Sequence, residues 1–470
     1  MKKIVTILLT LAIVLGLCAC TGSNEGGNAS GGTEGLQVGF GRASITPDFS
    51  VPLGGYSDME TRKSEGLVDY IYATCLAFTE GEETILLFTL DLGAANQGIK
   101  DDTRNAVSVA TGISEDKIFI GATHTHSAPS FSLANDAATT KYRDFYNGAV
   151  AQAAKDALAD RAAATISTTT TELENMNFVR HYLLENGTYA GSNFGDFATS
   201  PIKEHATETD PRMVLVKFDR ADESKQDIML MNWQAHPARA TENGYNNISA
   251  DFVGAARTKF EGETGMHFAY FTGASGNQNP ESKIDSEMHN LNVKEYGEKL
   301  AEHAITAMAN MTAVEGSGIK TSRVNFEAEI DHSWDDKLNQ ANEVYDLWKA
   351  TSLATGNAKA KEYGFTSVYQ ARAIKSRAAM AATGNLELNA IRIGGVGFIT
   401  GTYEMFSDAG IYVRANSPFE TTVICTGNSG YIPSKEAYDY RSYESDTGYY
   451  AQGTAEKLAE KYVEMLNSVQ

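Results

Sequence analysis

The stretch Gly121-Ala-Thr-His-Thr-His-Ser-Ala-Pro129 constrains this chain more than any other. It continues the apolar run Lys117-Ile-Phe-Ile-Gly121, which reads as a buried strand. Residues two apart on an extended backbone point to the same face, so His124 and His126 are expected side by side. The Ser and Pro beyond them end the strand. Two imidazoles at the end of a rigid strand suit a catalytic metal site. Alone, the pair also fits a plainer arrangement, with one ring packed and the other bonded to a neighbour.

The rest of the chain gives that strand a setting. Strand-like runs recur at 70–78, 84–90, 117–123, 213–218, 228–233 and 267–272, after an opening strand that ends at Pro47. Helix-like runs fall between or after them at 102–110, 142–159, 251–261 and 293–309. Alternation of the two periods argues for an α/β fold, a single large mixed-sheet domain over 36–470. A charged, Ala-rich segment at 335–382 reads as two helices. Strands follow at 386–393 and 396–400 about a Gly394-Gly395 turn, and a helix at 454–466 closes the chain. No Ig-like module is expected at the C-terminus. Cys75 and Cys425 are the only cysteines in the body of the domain, and the sequence leaves their pairing open.

The first residues read as a bacterial export signal. Lys2 and Lys3 precede an apolar run from Ile4 to Leu17, too short for a comfortable membrane span. Leu17-Cys18-Ala19-Cys20 looks like a lipobox, so 1–19 is expected to be a lipoprotein signal peptide cleaved before an acylated Cys20. Residues 20–35, rich in Gly, Ser and Asn, would be a flexible tether to the outer face of the cell membrane or its periplasmic side. Losing Lys2 and Lys3 lowers the basic residues from 39 to 37 against 60 acids, which moves the formal charge from -21 to -23. That sign excludes ordinary nucleic-acid binding.

Three further segments offer ligands or catalytic groups. Asn232-Trp-Gln-Ala-His236-Pro237 again sets a His just past a strand. Asp251 follows at a plausible helix start, where it either caps the helix or accepts the second N–H of a metal-bound His. In Gly397-Phe-Ile-Thr-Gly401-Thr-Tyr-Glu404 a carboxylate follows a strand and a Gly turn, though an acid in the first turn of a helix would look the same. Tyr431 and Tyr443 lie in the last segment. His124, His236 and Glu404 together could give Zn²⁺ two nitrogens and one oxygen and leave a position for water, whose pKa the ion lowers to roughly 7. There is no His-Glu-x-x-His motif, no Gly-x-Ser-x-Gly elbow and no P-loop.

These blocks, in this order, resemble the catalytic domain of the neutral, non-lysosomal ceramidases. The resemblance starts at Gly39-Phe-Gly-Arg-Ala-Ser-Ile-Thr-Pro47 and passes through the His124–His126 block and Asn177-Phe-Val-Arg180. It goes on to Asn232-Trp-Gln-Ala-His-Pro237, Ile248-Ser-Ala-Asp251 and Gly401-Thr-Tyr-Glu404, and ends at Gly430-Tyr431 to Glu444. It implies a zinc-dependent amide hydrolase with one Zn²⁺ on His124, His236, Glu404 and Tyr431. His126 would stand beside the substrate carbonyl, with Arg180 and Tyr443 lining the same site. The implied reaction converts N-acylsphingosine to sphingosine and fatty acid. In Gly276-Asn-Gln-Asn-Pro-Glu281, Asn277 and Asn279 replace the family's Asp and Ser, an alteration next to the expected headgroup. A more polar amide or ester, such as a glycan or cell-wall fragment, is therefore the alternative substrate. An inactive surface lipoprotein that only binds is the alternative from another class.

Overall fold

The computed structural model describes residues 35–56, 61–131, 136–284, 291–427 and 430–470. The expected signal peptide, and the tether apart from Gly35, lie outside the described residues. Among the described residues no helix is long and apolar enough to cross a membrane.

Eight strands form the main path of a nine-stranded mixed sheet. They are β1 (Gln37–Ser44), β2 (Tyr72–Glu80), β3 (Glu83–Leu90), β4 (Ile118–Ala122), β5 (Ala162–Glu172), β6 (Arg212–Arg220), β7 (Ile228–Trp233) and β8 (His267–Thr272). Their order is β8-β7-β6-β5-β1-β2-β3-β4, with Thr312–Ala313 added beside β5. The β3–β4 and β7–β8 pairs are parallel. A second sheet runs β9 (Ile319–Glu329), β10 (Thr383–Ile393), β11 (Val396–Gly401) and β12 (Thr421–Cys425).

Alternation along each strand sorts its side chains between two cores. In β3, Ile85 and Leu87 face the second sheet and pack with Ile391, Ile393, Phe398 and Val423. Leu86, Phe88 and Leu90 face the other way, into a core shared with Ile99 and Val107 of α1 (Gln97–Thr111) and Tyr142, Tyr146 and Val150 of α2 (Ala137–Ala159). The β6–β8 half is covered by α3 (Phe252–Thr264) and α4 (Val293–Ala307). The helix Thr454–Val469 packs on the outer face of the second sheet. The layers therefore run helix, sheet, sheet, helix, a mixed α/β architecture.

The nine-stranded sheet curls until its two edge strands meet. Thr89 at the end of β3 donates to the Tyr270 carbonyl in β8 at 2.6 Å, and Thr272 donates to the Thr123 carbonyl just past β4 at 2.6 Å. Strands at opposite ends of the hydrogen-bonded order thus become neighbours. This closure brings the segments after β4 and β7 together.

Two groups of elements depart from the sequence reading, and the open question of the two cysteines is settled. The segment 335–382 holds three helices rather than two: Leu338–Ala350, Leu353–Glu362 and Val368–Arg377. Ser352 caps the second, and Gly364, at φ +79°, makes the turn before the third. Strands β5, β9 and β12 and the helix Ser407–Asn416 were not expected. Cys75 and Cys425 are unpaired and buried in different cores.

Candidate metal centre

The centre sits where parallel strands end. Strand β4 stops at Ala122, so His124 does not lie on extended backbone; its φ is +70°. The imidazoles of His124 and His126 nevertheless converge, with ring centroids 5.0 Å apart. The cause is the left-handed turn at His124 and not strand alternation. His236 follows β7, and its backbone N–H donates to the Gln278 carbonyl at 2.9 Å. Glu404 follows β11 in the short strand Glu404–Met405, three positions before the helix Ser407–Asn416. It is therefore not a first-turn acid of that helix. Tyr431 is the parallel register partner of Glu404.

Four groups meet there. His124 Nε2 lies 3.0 Å from His236 Nε2, 3.4 Å from His126 Nε2 and 3.3 Å from Glu404 Oε2. His236 Nε2 lies 3.7 Å from the same carboxylate oxygen. His124 Nδ1 faces the Gly93 carbonyl at 2.6 Å and His236 Nδ1 faces the Ser275 carbonyl at 3.3 Å. Each carbonyl needs an N–H, so both Nδ1 atoms carry the proton and both Nε2 lone pairs point inward. Two lone pairs 3.0 Å apart repel unless a cation stands between them. Glu404 Oε2 is buried without a hydrogen-bond partner, an expensive state for a carboxylate oxygen. Inward nitrogens and an orphaned carboxylate oxygen fit a divalent metal with N/O ligation. Among the described residues, His124, His126 and His236 form the one group of this kind.

The sequence assigned His126 to catalysis, whereas its Nε2 lies within the range of the prospective ligands. It differs from the other two rings in that its Nδ1 is buried with no partner. Burial, then the charges of His124 and Arg180, push its pKa well below the ordinary value; burial and the same neighbours do so for His236. Asp251 does not support any of these rings. It caps α3 by accepting from Phe252 N–H and also accepts from Ala240 N–H, so the capping alternative holds and the second-shell alternative falls. Backbone carbonyls take that second role.

Arg180 reaches the centre from the opposite side. Its Nη2 donates to Tyr431 Oη at 3.2 Å and to the Gly276 carbonyl at 2.9 Å, and its Nη1 donates to Asn279 Oδ1 at 3.3 Å. Burial opposes its charge, but Glu444 above all outweighs burial and keeps the guanidinium charged. Tyr443 stands one ring further out, 6.1 Å from Tyr431, and burial pushes its hydroxyl up to about 12. Of the two altered positions, Asn277 is structural: it accepts from Ser407 N–H at 2.9 Å and donates to Ser407 Oγ at 3.0 Å, holding the start of the helix Ser407–Asn416. Asn279 alone faces the site through Arg180. Sequence reasoning passed over Glu444 and His181, which stand behind Arg180; only their adjacency to Tyr443 and Arg180 in the chain hinted at them.

Known proteins share this fold. Two solved structures match with a TM-score of 0.67. One is the neutral ceramidase from Pseudomonas aeruginosa, at 17% identity over 92% of this chain and 74% of that one. The other is a ceramidase described as complexed with C2, at 18% identity over 92% of this chain and 75% of that one. At such identities the likeness concerns the fold. No curated protein matches the sequence. The family described as neutral/alkaline non-lysosomal ceramidase, N-terminal, matches residues 36–328, more than half of the sequence, and the chain belongs to that family.

Proposed function

We propose that this protein is a zinc-dependent hydrolase of amide bonds, acting on N-acylsphingosine to give sphingosine and a fatty acid. The observation that carries the reading is the convergence of two inward Nε2 lone pairs on the unpartnered Glu404 oxygen. His124, His236, Glu404 and Tyr431 would hold the ion. Bound there, zinc supplies Lewis acidity toward a carbonyl and toward water. The other roles belong to the chain itself. His126 is the one ring of the three whose tautomer no backbone carbonyl fixes, so its Nε2, which faces the centre, is free to take up and return a proton there. Arg180 brings fixed positive charge to the place where negative charge develops on the carbonyl oxygen. Tyr443 packs behind Tyr431 and closes that side against water.

The test is release of sphingosine from ceramide by the zinc-loaded protein, with His124→Ala beside it. Release that vanishes together with the zinc in the variant supports the assignment; full activity in the variant overturns it. One observation favours a second reading. Asn279 gives the wall beside Arg180 an amide, which suits a more polar amide or ester. Zinc-loaded protein that leaves ceramide intact and cleaves such a compound would decide for it. The proposed setting is that of a lipoprotein held at the membrane through lipid on Cys20, which mass spectrometry of the mature N-terminus would test.

A further inference from the structure

Behind Arg180 lies a buried polar array that the reaction above does not use. Glu444 is fully buried in the short helix Tyr443–Thr447. Its Oε1 accepts from Arg180 Nε at 2.7 Å and also pairs with Nη2 at 2.6 Å, so it grips one whole edge of the guanidinium. Its Oε2 accepts from His181 Nε2 at 2.8 Å. His181 is itself fully buried, and its Nδ1 contacts the Tyr440 hydroxyl at 2.7 Å. Consecutive residues of a strand would point apart, but the chain bends at Arg180, between Phe178–Val179 and His181–Leu184. The bend lets Arg180 and His181 reach the two oxygens of one carboxylate.

The arrangement divides the guanidinium in two. One edge is consumed by Glu444, and Gly276 takes a further N–H. What remains is Nη1, which faces Asn279 at 3.3 Å, while Tyr431 Oη stands 3.2 Å from the already engaged Nη2. A flexible side chain is thereby fixed on the side away from the centre and presented on the side toward it. Burial alone would raise the Glu444 carboxyl, but His181 and Arg180 hold it down at about 2, so it stays an anion throughout the working range.

We infer that Glu444, held in turn by His181 and Tyr440, is a positioning residue that aims the free edge of Arg180 at the carbonyl being hydrolysed. Glu444 acts through Arg180 and touches no substrate. The assignment rests on the proposed amide hydrolysis for its kinetic readout, and on the Arg180 geometry alone for its spectroscopic one.

The experiment compares zinc-loaded wild type, Glu444→Gln, Arg180→Lys and the double variant, on a short-chain N-acylsphingosine. Glu444→Gln is expected to lower kcat at least 10-fold, change KM less than 3-fold and leave the zinc content intact. In the Arg180→Lys background the same change should cost less than 2-fold, because the residue it works through is already gone. Losses that multiply, or a Glu444→Gln kcat within 2-fold of wild type, overturn the proposal. His181→Gln, which leaves the carboxylate in place, should give a smaller fall in kcat and covers the case of a Glu444 variant that does not fold. The second readout is the side-chain Nε–H resonance of Arg180 in protein labelled at arginine, assigned through Arg180→Lys. It should be protected from exchange in wild type and averaged in His181→Gln and Glu444→Gln. A protected resonance in all three overturns the positioning role. If wild type leaves ceramide intact, the proposed reaction fails, and this resonance still decides the role of Glu444.

Discussion

Among single side chains, the centre is governed by which ring nitrogen keeps its proton. Gly93 and Ser275 fix His124 and His236 with their lone pairs inward, and no carbonyl does so for His126. His126→Ala is therefore expected to retain zinc and lose activity by roughly 10²–10⁴-fold, the usual share of a general acid–base group. Zinc loss as complete as in His124→Ala, read by metal analysis, would instead make His126 a ligand. Gly55 provides a gentler test of the same ring. At φ +96°, a Cβ on Gly55 would stand 2.6 Å from the His126 backbone and side chain. Gly55→Ala should displace His126 and lower kcat at least 10-fold with zinc still bound. The sequence exposed His124, His126, His236 and Glu404 because each follows a recognisable strand with a Gly or Pro nearby. It could not expose Glu444 as the partner of Arg180, 264 positions away, because a buried carboxylate on a short helix looks like any surface acid until its partner is known.

The elements that place these residues differ in how plainly they could be read. Strands β3, β4, β7 and β8 are apolar on both faces because they are covered on both, and they were legible as continuous runs. Strand β5 has one partly exposed face and a run of threonines, so it lacked the apolar signal. Closure of the sheet by Thr89 and Thr272 was invisible for the same reason, since it relies on hydroxyls and not on hydrophobic pattern. Thr272→Val would leave the Thr123 carbonyl without its donor and should cost about 1–3 kcal/mol in denaturant unfolding. It should also weaken zinc affinity, because Thr123 precedes His124. Helix α3 carries a pH signature through its cap. Burial raises the Asp251 carboxyl from 3.8 to about 7 despite three backbone N–H donors. A carboxyl whose folded pKa is raised favours the fold at low pH, and that contribution is lost as pH rises from about 4 to about 7. Wild type should thus lose stability relative to Asp251→Asn across that window, by up to about 4 kcal/mol. A difference that stays flat with pH would show that Asp251 titrates normally.

For the whole molecule, the decisive fact is that the prospective ligands come from both sheets. His124 and His236 follow strands of the curled nine-stranded sheet, and Glu404 follows a strand of the other. An ion bound to all of them ties the two layers across their shared core. Stripping zinc with a chelator should lower the unfolding midpoint, and free zinc at 100 times its Kd should restore about 2.7 kcal/mol. An unfolding midpoint indifferent to the chelator would place the ion elsewhere. The sequence conveyed the alternation of strands and helices and hence the α/β class. It did not convey the stacking of two sheets, which depends on pairings between distant segments. The curl of the nine-stranded sheet has a further consequence for how the protein matures. His124 and His236 are 112 positions apart in sequence, and they approach only once the two edge strands have met. The prospective ligands Glu404 and Tyr431 are synthesised after both and arrive only with the second sheet. A growing or half-folded chain therefore has scattered imidazoles that would hold an ion weakly, and tight capture of the proposed ion would mark the completion of folding.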